Sequence, residues 1–73
     1  MDYILESSRR LKALFAYNGL SLKDLCNLLM EKNQKKDTAQ NISNKLSRGT
    51  LRFSEVLEIA DVMGYDIDFK KRI

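Results

Sequence analysis

The sequence predicts a single all-α domain of four or five short helices, with or without a short C-terminal β-strand. Three observations predict this fold class. The chain has 73 residues, which is enough for one domain spanning residues 1–73. It contains no proline and only three glycines, so nothing interrupts long helical stretches. Apolar residues recur at three- to four-residue spacing along most of the chain, as on the buried face of a helix.

Local end signals bound the first two helices. The first is predicted over residues 4–18 and ends at Gly19, which can adopt the left-handed conformation that terminates helices. Ser21 then caps a second helix, and Asp24 stands three residues later as its partner in a capping box. This helix is predicted to end near Met30 or Glu31.

A polar connection leads into the third helix. Residues 31–36 include no apolar side chain and predict an exposed connection. Asp37 and Thr38 are both good capping residues, and the sequence does not choose between them. Gly49 closes the helix. A narrow inward stripe at helical spacing consists of Ala39, Ile42 and Leu46.

The C-terminal third predicts one more helix and the strand. The helix spans residues 53–63, and its inward side is predicted to hold Phe53, Val56, Leu57, Ala60 and Met63. Its acidic outer side, which would face away from any polyanion, consists of Glu55, Glu58 and Asp61. Residues 65–70 alternate apolar and charged side chains, a period of two that favours a short strand. Such a strand needs a pairing partner.

Positive charge is concentrated around the third helix. The net charge is +3, but residues 32–52 hold only one acid, Asp37, against Lys32, Lys35, Lys36, Lys45, Arg48 and Arg52. Charge runs are commonly just solvated surface. Here, however, the same helix carries three amide side chains, at positions 40, 41 and 44. Asn and Gln can bond adenine in the major groove and Lys or Arg can bond guanine, so the pattern favours double-stranded DNA as partner.

The composition argues against other classes of function. The chain has no histidine and a single cysteine, Cys26, so we expect no metal site, no cofactor and no internal disulfide. It shows no phosphate-binding glycine loop and no nucleophile motif, so we expect neither an enzyme nor a small-molecule substrate. The absence of a long apolar run predicts no membrane association and favours a cytoplasmic location.

Four stretches stand in the order and spacing of a known family: Leu11–Leu14, Gly19–Leu25, Gln40–Leu46 with Arg48–Gly49, and Leu57–Gly64. Together they resemble the phage-repressor-like helix-turn-helix superfamily, also called Cro-like or xenobiotic-response-element proteins. The resemblance runs from Leu11 to about Ile67. It implies a compact helix-turn-helix domain whose third helix, about residues 38–48, lies in the major groove.

The resemblance also implies site residues. The positions that face base edges or neighbouring phosphates match Thr38, Gln40, Asn41, Asn44 and Lys45. Arg48 and Arg52 match positions near the phosphate backbone, and Ser21 matches a helix start that contacts it. The connection that carries Lys35 and Lys36 is longer than the family's usual turn of about four residues. It either reaches a further phosphate or changes how the third helix projects.

The expected function is therefore sequence-specific binding of double-stranded DNA by a transcriptional regulator. One domain offers one recognition helix, so we expect a homodimer, joined through the region of Ile67 and Phe69, on a two-fold site. The alternative is a protein-interaction module, an adaptor or antitoxin-like partner, that reuses the fold. RNA is less favoured, because the aromatic residues that would stack on bases avoid the basic segment.

Overall fold

The computed structural model describes residues 1–73 and contains four α-helices and no β-strand. They are α1 (Tyr3–Tyr17), α2 (Leu22–Asn33), α3 (Ala39–Arg48) and α4 (Phe53–Val62). The all-α prediction is confirmed. None of the four helices has the length and apolar character needed to span a membrane.

Side-chain caps fix where α2 and α3 begin. The Asp24 N–H donates to Ser21 Oγ at 3.1 Å, and the Ser21 N–H donates to Asp24 Oδ2 at 2.9 Å, so the predicted capping box forms. For α3, Thr38 is the cap, because its Oγ1 accepts from the Asn41 N–H at 3.1 Å. Asp37 instead accepts from the Thr38 N–H at 2.8 Å. Both side chains therefore order the first turn of α3.

The end of α3 lies against the start of α1. Gly49 has φ +68°, and the Thr50 N–H closes the helix end by donating to the Lys45 carbonyl oxygen at 3.0 Å. A Cβ at residue 49 would lie only 2.6 Å from Ile4 Cγ1. Glycine is thus required here both for the left-handed backbone and for the close approach of α1.

The core is built around α3. This helix packs against α1 and α2, and α4 packs against α2. The most deeply buried side chains are Leu25 and Leu29 of α2 and Ile42 of α3. Leu46, at 3% exposure, is buried one turn after Ile42. Each such aliphatic side chain contributes about 1.5–3 kcal/mol on burial, so Ile42 and Leu46 anchor the helix that carries most of the candidate site.

The connection between α2 and α3 is shorter than expected. Helix α2 continues to Asn33, past its predicted end, and the connection comprises residues 34–38. Gln34 ends α2 in the left-handed conformation with φ 55°, a position at which glycine is the usual signal. Because no glycine marks the end, the sequence pattern placed it too early. The connection is therefore shorter than the predicted 31–37, and its five residues are still more than the usual helix-turn-helix turn of three to four.

Two expectations for the C-terminal third need correction. Ala60 is buried and Met63 packs against the core as predicted, but α4 also buries Ile59 and Val62, and the predicted inward residues Phe53 and Leu57 are exposed. Residues 65–70 form no strand: the Tyr65 N–H donates to the Ala60 carbonyl oxygen, and residues 66–70 make no backbone hydrogen bond with any other segment. The period-two pattern is compatible with a strand, but the single chain supplies no second strand for it to pair with.

Candidate nucleic-acid interface

The solvent-facing side of α3 carries a row of three polar side chains, Gln40, Asn44 and Arg48, called here the outward row. They are spaced four residues apart and offset by two positions from the buried pair Ile42 and Leu46. Two positions correspond to about 200° of helix rotation, so the row lies opposite the core. All three residues are exposed. The row is a straight polar ridge on an anchored helix.

Gln40 and Asn44 are ordered by each other. Gln40 Nε2 donates to Asn44 Oδ1 at 3.0 Å across one helical turn. This bond leaves the Gln40 Oε1 and a second Nε2 hydrogen without a partner, and it leaves the Asn44 amide hydrogens unpaired. Gln40 therefore retains the adjacent donor and acceptor that a bidentate contact with adenine requires.

The side of α3 nearest α4 is different. Asn41 and Lys45, which we call the flank, follow each other along this side. Asn41 Nδ2 donates to Asp37 Oδ1 at 2.8 Å. Lys45 Nζ donates to Glu55 Oε2 of α4 at 2.7 Å, with the two side chains 30% and 16% exposed. Both flank residues are thus bonded to carboxylates outside α3, whereas Gln40 and Asn44 of the outward row bond only to each other.

The connection before α3 is tied to α4 in the same way. Glu58 accepts two bonds, from Lys35 Nζ at 2.8 Å and from Asn33 Nδ2 at 2.9 Å. One turn earlier, Lys32 Nζ donates to the Val62 carbonyl oxygen at 3.0 Å, at the end of α4. The end of α2 and the following turn are therefore held against α4 by three polar contacts.

These pairs shift the pKa values of Glu55, Glu58 and Lys35. The hydrogen bond from Lys45 lowers the pKa of Glu55, helped by the Arg52 backbone N–H, which donates to Glu55 Oε1 at 3.1 Å. The bond from Lys35, followed by that from Asn33, lowers the pKa of Glu58. Lys35 has a raised pKa, chiefly because of its bond to Glu58. All three groups are charged at neutral pH, and we call these two ion pairs the carboxylate clamp.

The clamp overturns the expected orientation of the acidic side of α4. Glu55 and Glu58 face the basic segment and neutralise two of its lysines; Asp61 is exposed and makes no ion pair. Three of the expected DNA-contacting cations, Lys36, Arg48 and Arg52, are exposed and have no side-chain partner in the chain. Sequence reasoning missed the clamp, because its partners are far apart in the chain and no local pattern joins them.

Ser21 and Thr38 serve as helix caps. The Ser21 hydroxyl accepts a backbone bond, and Asp24 sits at the start of α2 with a lowered pKa, because its carboxylate accepts from the Ser21 N–H. A carboxylate already occupies the place that a phosphate would take at this helix start. Ser21 and Thr38 each still have a hydroxyl hydrogen to donate.

The remaining chemistry of the chain is sparse. No three potential metal ligands lie together. The Cys26 thiol is half-buried in α2, and its pKa is raised, mainly by burial and further by Asp37. The thiolate is therefore disfavoured, and the side chain packs against the hydrophobic core.

One family model matches the chain, over residues 5–67, and carries the description "Domain of unknown function (DUF6471)". The matched span includes α2, α3, α4 and every candidate site residue. No curated protein and no solved structure matches the chain. The resemblance to the helix-turn-helix superfamily stays a prediction.

Proposed function

The chain belongs to the DUF6471 family, whose function is unknown, and we propose that it binds double-stranded DNA sequence-specifically through α3. In this proposal α2, the turn at residues 34–38 and α3 act as a helix-turn-helix unit. The protein is a cytoplasmic transcriptional regulator, and α3 is its recognition helix in the major groove.

The observation that carries the proposal is the outward row. Gln40 and Asn44 are residue types that read adenine edges, Arg48 continues the row as a phosphate-binding cation, and all three stand opposite the buried face of an anchored helix. Asn is a poor helix former compared with the Glu or Lys that would suffice for solvation. A ridge of this composition is typical of a base-reading surface.

The contacts divide into two kinds. Gln40 and Asn44 supply discrimination, since each good bidentate contact is worth about 1–3 kcal/mol. Lys36, Arg48 and Arg52 supply phosphate attraction that is independent of sequence. Lys35 and Lys45 have smaller roles than the sequence predicted, because each already has a carboxylate partner. Asn41 bonds Asp37 but keeps its Oδ1 and one Nδ2 hydrogen for a further contact.

The ionisable groups support a binding role over a catalytic one. General acid–base catalysis near neutral pH needs a carboxylate with a raised pKa or a nucleophile with a lowered one. In this chain the shifts run the other way: the pKa values of Glu55 and Glu58 are lowered and that of Cys26 is raised.

The proposal is tested by selection from a random duplex DNA pool, with the wild-type protein and Asn44→Ala in parallel at two salt concentrations. We expect the wild type to enrich a defined motif that Asn44→Ala fails to enrich. Retention of DNA without any motif would reduce the function to phosphate binding. No retention at low salt would reject DNA as the partner and leave the protein-interaction module, which affinity capture would then examine.

A further inference from the structure

The segment that follows α4, residues 65–73, has an unsatisfied backbone and unpaired charges. No backbone N–H or carbonyl of residues 66–73 takes part in a backbone hydrogen bond. None of its five charged side chains forms an ion pair or a side-chain hydrogen bond: Asp66, Asp68, Lys70, Lys71 and Arg72. The segment is exposed throughout, and we call it the tail.

The tail also borders an exposed apolar surface on α4. Phe69 is 82% exposed, and its ring stacks on that of Phe53, which is 52% exposed, at a centroid distance of 5.8 Å. Leu57, Tyr65 and Ile67 line an open groove between α4 and the tail. These are the residues that sequence periodicity assigned to a core or to one face of a strand. In the single chain, part of that apolar surface is uncovered.

The order of charges along the tail indicates which partner is electrostatically complementary to it. On one side of an extended strand the residues are Asp66, Asp68, Lys70 and Arg72, two acids followed by two bases. On the other side are Tyr65, Ile67 and Phe69, followed by Lys71 and Ile73. A strand whose charge changes sign at its midpoint is complementary to an antiparallel copy of itself.

We propose that the tail of one chain pairs with the tail of a second copy as an antiparallel two-stranded ribbon centred on Phe69. In this register Asp68 lies opposite Lys70 of the other copy and Asp66 opposite its Arg72, which gives four opposite-charge pairs across the two-fold axis. Parallel pairing in register would instead place each charge opposite its own copy.

Pairing of the two tails also covers the exposed Phe69 ring and gives the unpaired backbone groups hydrogen-bond partners. The two Phe69 rings meet at the axis, each backed by the Phe53 ring of its own chain, and form a four-ring aromatic cluster. The exposed backbone groups gain ladder hydrogen bonds. Two strands alone are marginal in water, so the apolar surface at Phe53 and Leu57 is what stabilises the ribbon.

Charge-reversed variants test the pairing without DNA. On the side of the strand that carries residues 66, 68, 70 and 72, Asp66→Lys/Asp68→Lys makes every charge positive, and Lys70→Asp/Arg72→Asp makes every charge negative. Sedimentation equilibrium and native mass spectrometry measure self-association of each variant and of their equimolar mixture. Far-UV circular dichroism checks folding, which should not change because the tail contributes to no helix.

We expect the wild type to dimerise and each variant alone to self-associate about tenfold or more weakly, because four attractive pairs become repulsive. The mixture should form a heterodimer, which the mass difference identifies. Arg9→Asp/Lys23→Asp is the matched control: it has the net charge of the negative variant but leaves the tail intact, and it should dimerise like the wild type.

A wild type that stays monomeric would overturn the proposal, as would variants that dimerise as tightly as the wild type. A mixture that gives no heterodimer would reject the antiparallel register. If the control weakens dimerisation as much as Lys70→Asp/Arg72→Asp does, net charge and not tail pairing accounts for the effect. None of these outcomes bears on DNA binding, so the two proposals fail separately.

Discussion

The outward row and the flank of α3 are neighbours on one short helix, yet their side chains have different partners. Gln40 and Asn44 bond only to each other and Arg48 has no partner, whereas Lys45 and Asn41 bond to the carboxylates of Glu55 and Asp37. The sequence makes these five residues look like one polar face. The number of basic residues in a segment therefore overstates the positive charge that its surface can present to DNA, because carboxylates of an opposing helix can neutralise part of it.

Both the outward row and the flank depend on the buried side of α3, and truncating a buried side chain there should disrupt both. We expect Leu46→Ala to lower the free energy of unfolding by about 2–5 kcal/mol, since it opens a cavity beneath α3. In a domain of this size that is a large share of the total stability. Urea unfolding followed by circular dichroism measures it. The exposed neighbour Ser47→Ala should change little; a similar small change for Leu46→Ala would contradict the core described here.

The two amide side chains of the outward row, Gln40 and Asn44, should determine sequence preference. We expect Asn44→Ala, and likewise Gln40→Ala, to reduce discrimination between the selected duplex and a scrambled one by about 1–3 kcal/mol. The dependence of affinity on salt should hardly change, because no charge is removed. Titrations of both duplexes at several salt concentrations measure the two quantities together. Equal losses on both duplexes would mean that these amides do not read bases.

Salt dependence should separate the unpaired cations from the clamped lysines. Arg48→Ala and Lys36→Ala each remove a free phosphate contact and should shallow the salt slope by about 0.9. Lys35→Ala and Lys45→Ala should shallow it clearly less, since each lysine already has a carboxylate partner. The slope of log affinity against log salt gives the number directly. Four equal slopes would contradict this division of roles.

Opening the clamp should change the flank into a DNA-contacting surface. We expect Glu55→Gln to release Lys45, to raise affinity for non-specific DNA and to steepen the salt slope. The cost in stability should be small, about 0–1 kcal/mol, as is usual for partly exposed ion pairs. Asp61→Asn on the same helix removes the same charge without breaking an ion pair and is the control. If it raises DNA affinity as much, release of Lys45 is not the cause.

Acid should open the clamp gradually. Glu55 and Glu58 have lowered pKa values in the folded protein, so their contribution is present above the usual carboxyl pKa of 4.5 and is lost as pH falls through the lowered values. The raised pKa of Lys35 acts at the other end, and its contribution disappears as pH rises above 10.5. We expect the stability difference between wild type and Glu55→Gln/Glu58→Gln to vanish in acid. A difference independent of pH would contradict this assignment.

Features that depend on a few consecutive residues could be predicted from the sequence. The Ser21–Asp24 capping box and the Gly49 helix end are of this kind, and both form as predicted. Their geometry is set by hydrogen bonds across three to five residues, which the residue types already encode. The end of α2 was misplaced because Gln34 adopts a conformation for which its residue type gives no signal.

Features that depend on how helices pack could not be predicted. Helix α4 is apolar on more than one side, so periodicity placed Phe53 and Leu57 inside where the fold buries Ile59 and Val62. The same rotation decides that Glu58 meets Lys35, 23 residues away in the chain. The predicted tail strand failed for a related reason, since a strand is defined by its partner.

The most direct test of base reading by the outward row compares variants of two adjacent α3 residues on one duplex. Fluorescence anisotropy would measure the affinity of wild type, Asn44→Ala and Lys45→Ala for the selected DNA at a single salt concentration. We expect Asn44→Ala to weaken binding by about tenfold, because it removes one bidentate contact, and we expect Lys45→Ala to weaken binding clearly less. A larger loss for Lys45→Ala, or no binding by the wild type, would contradict this expectation.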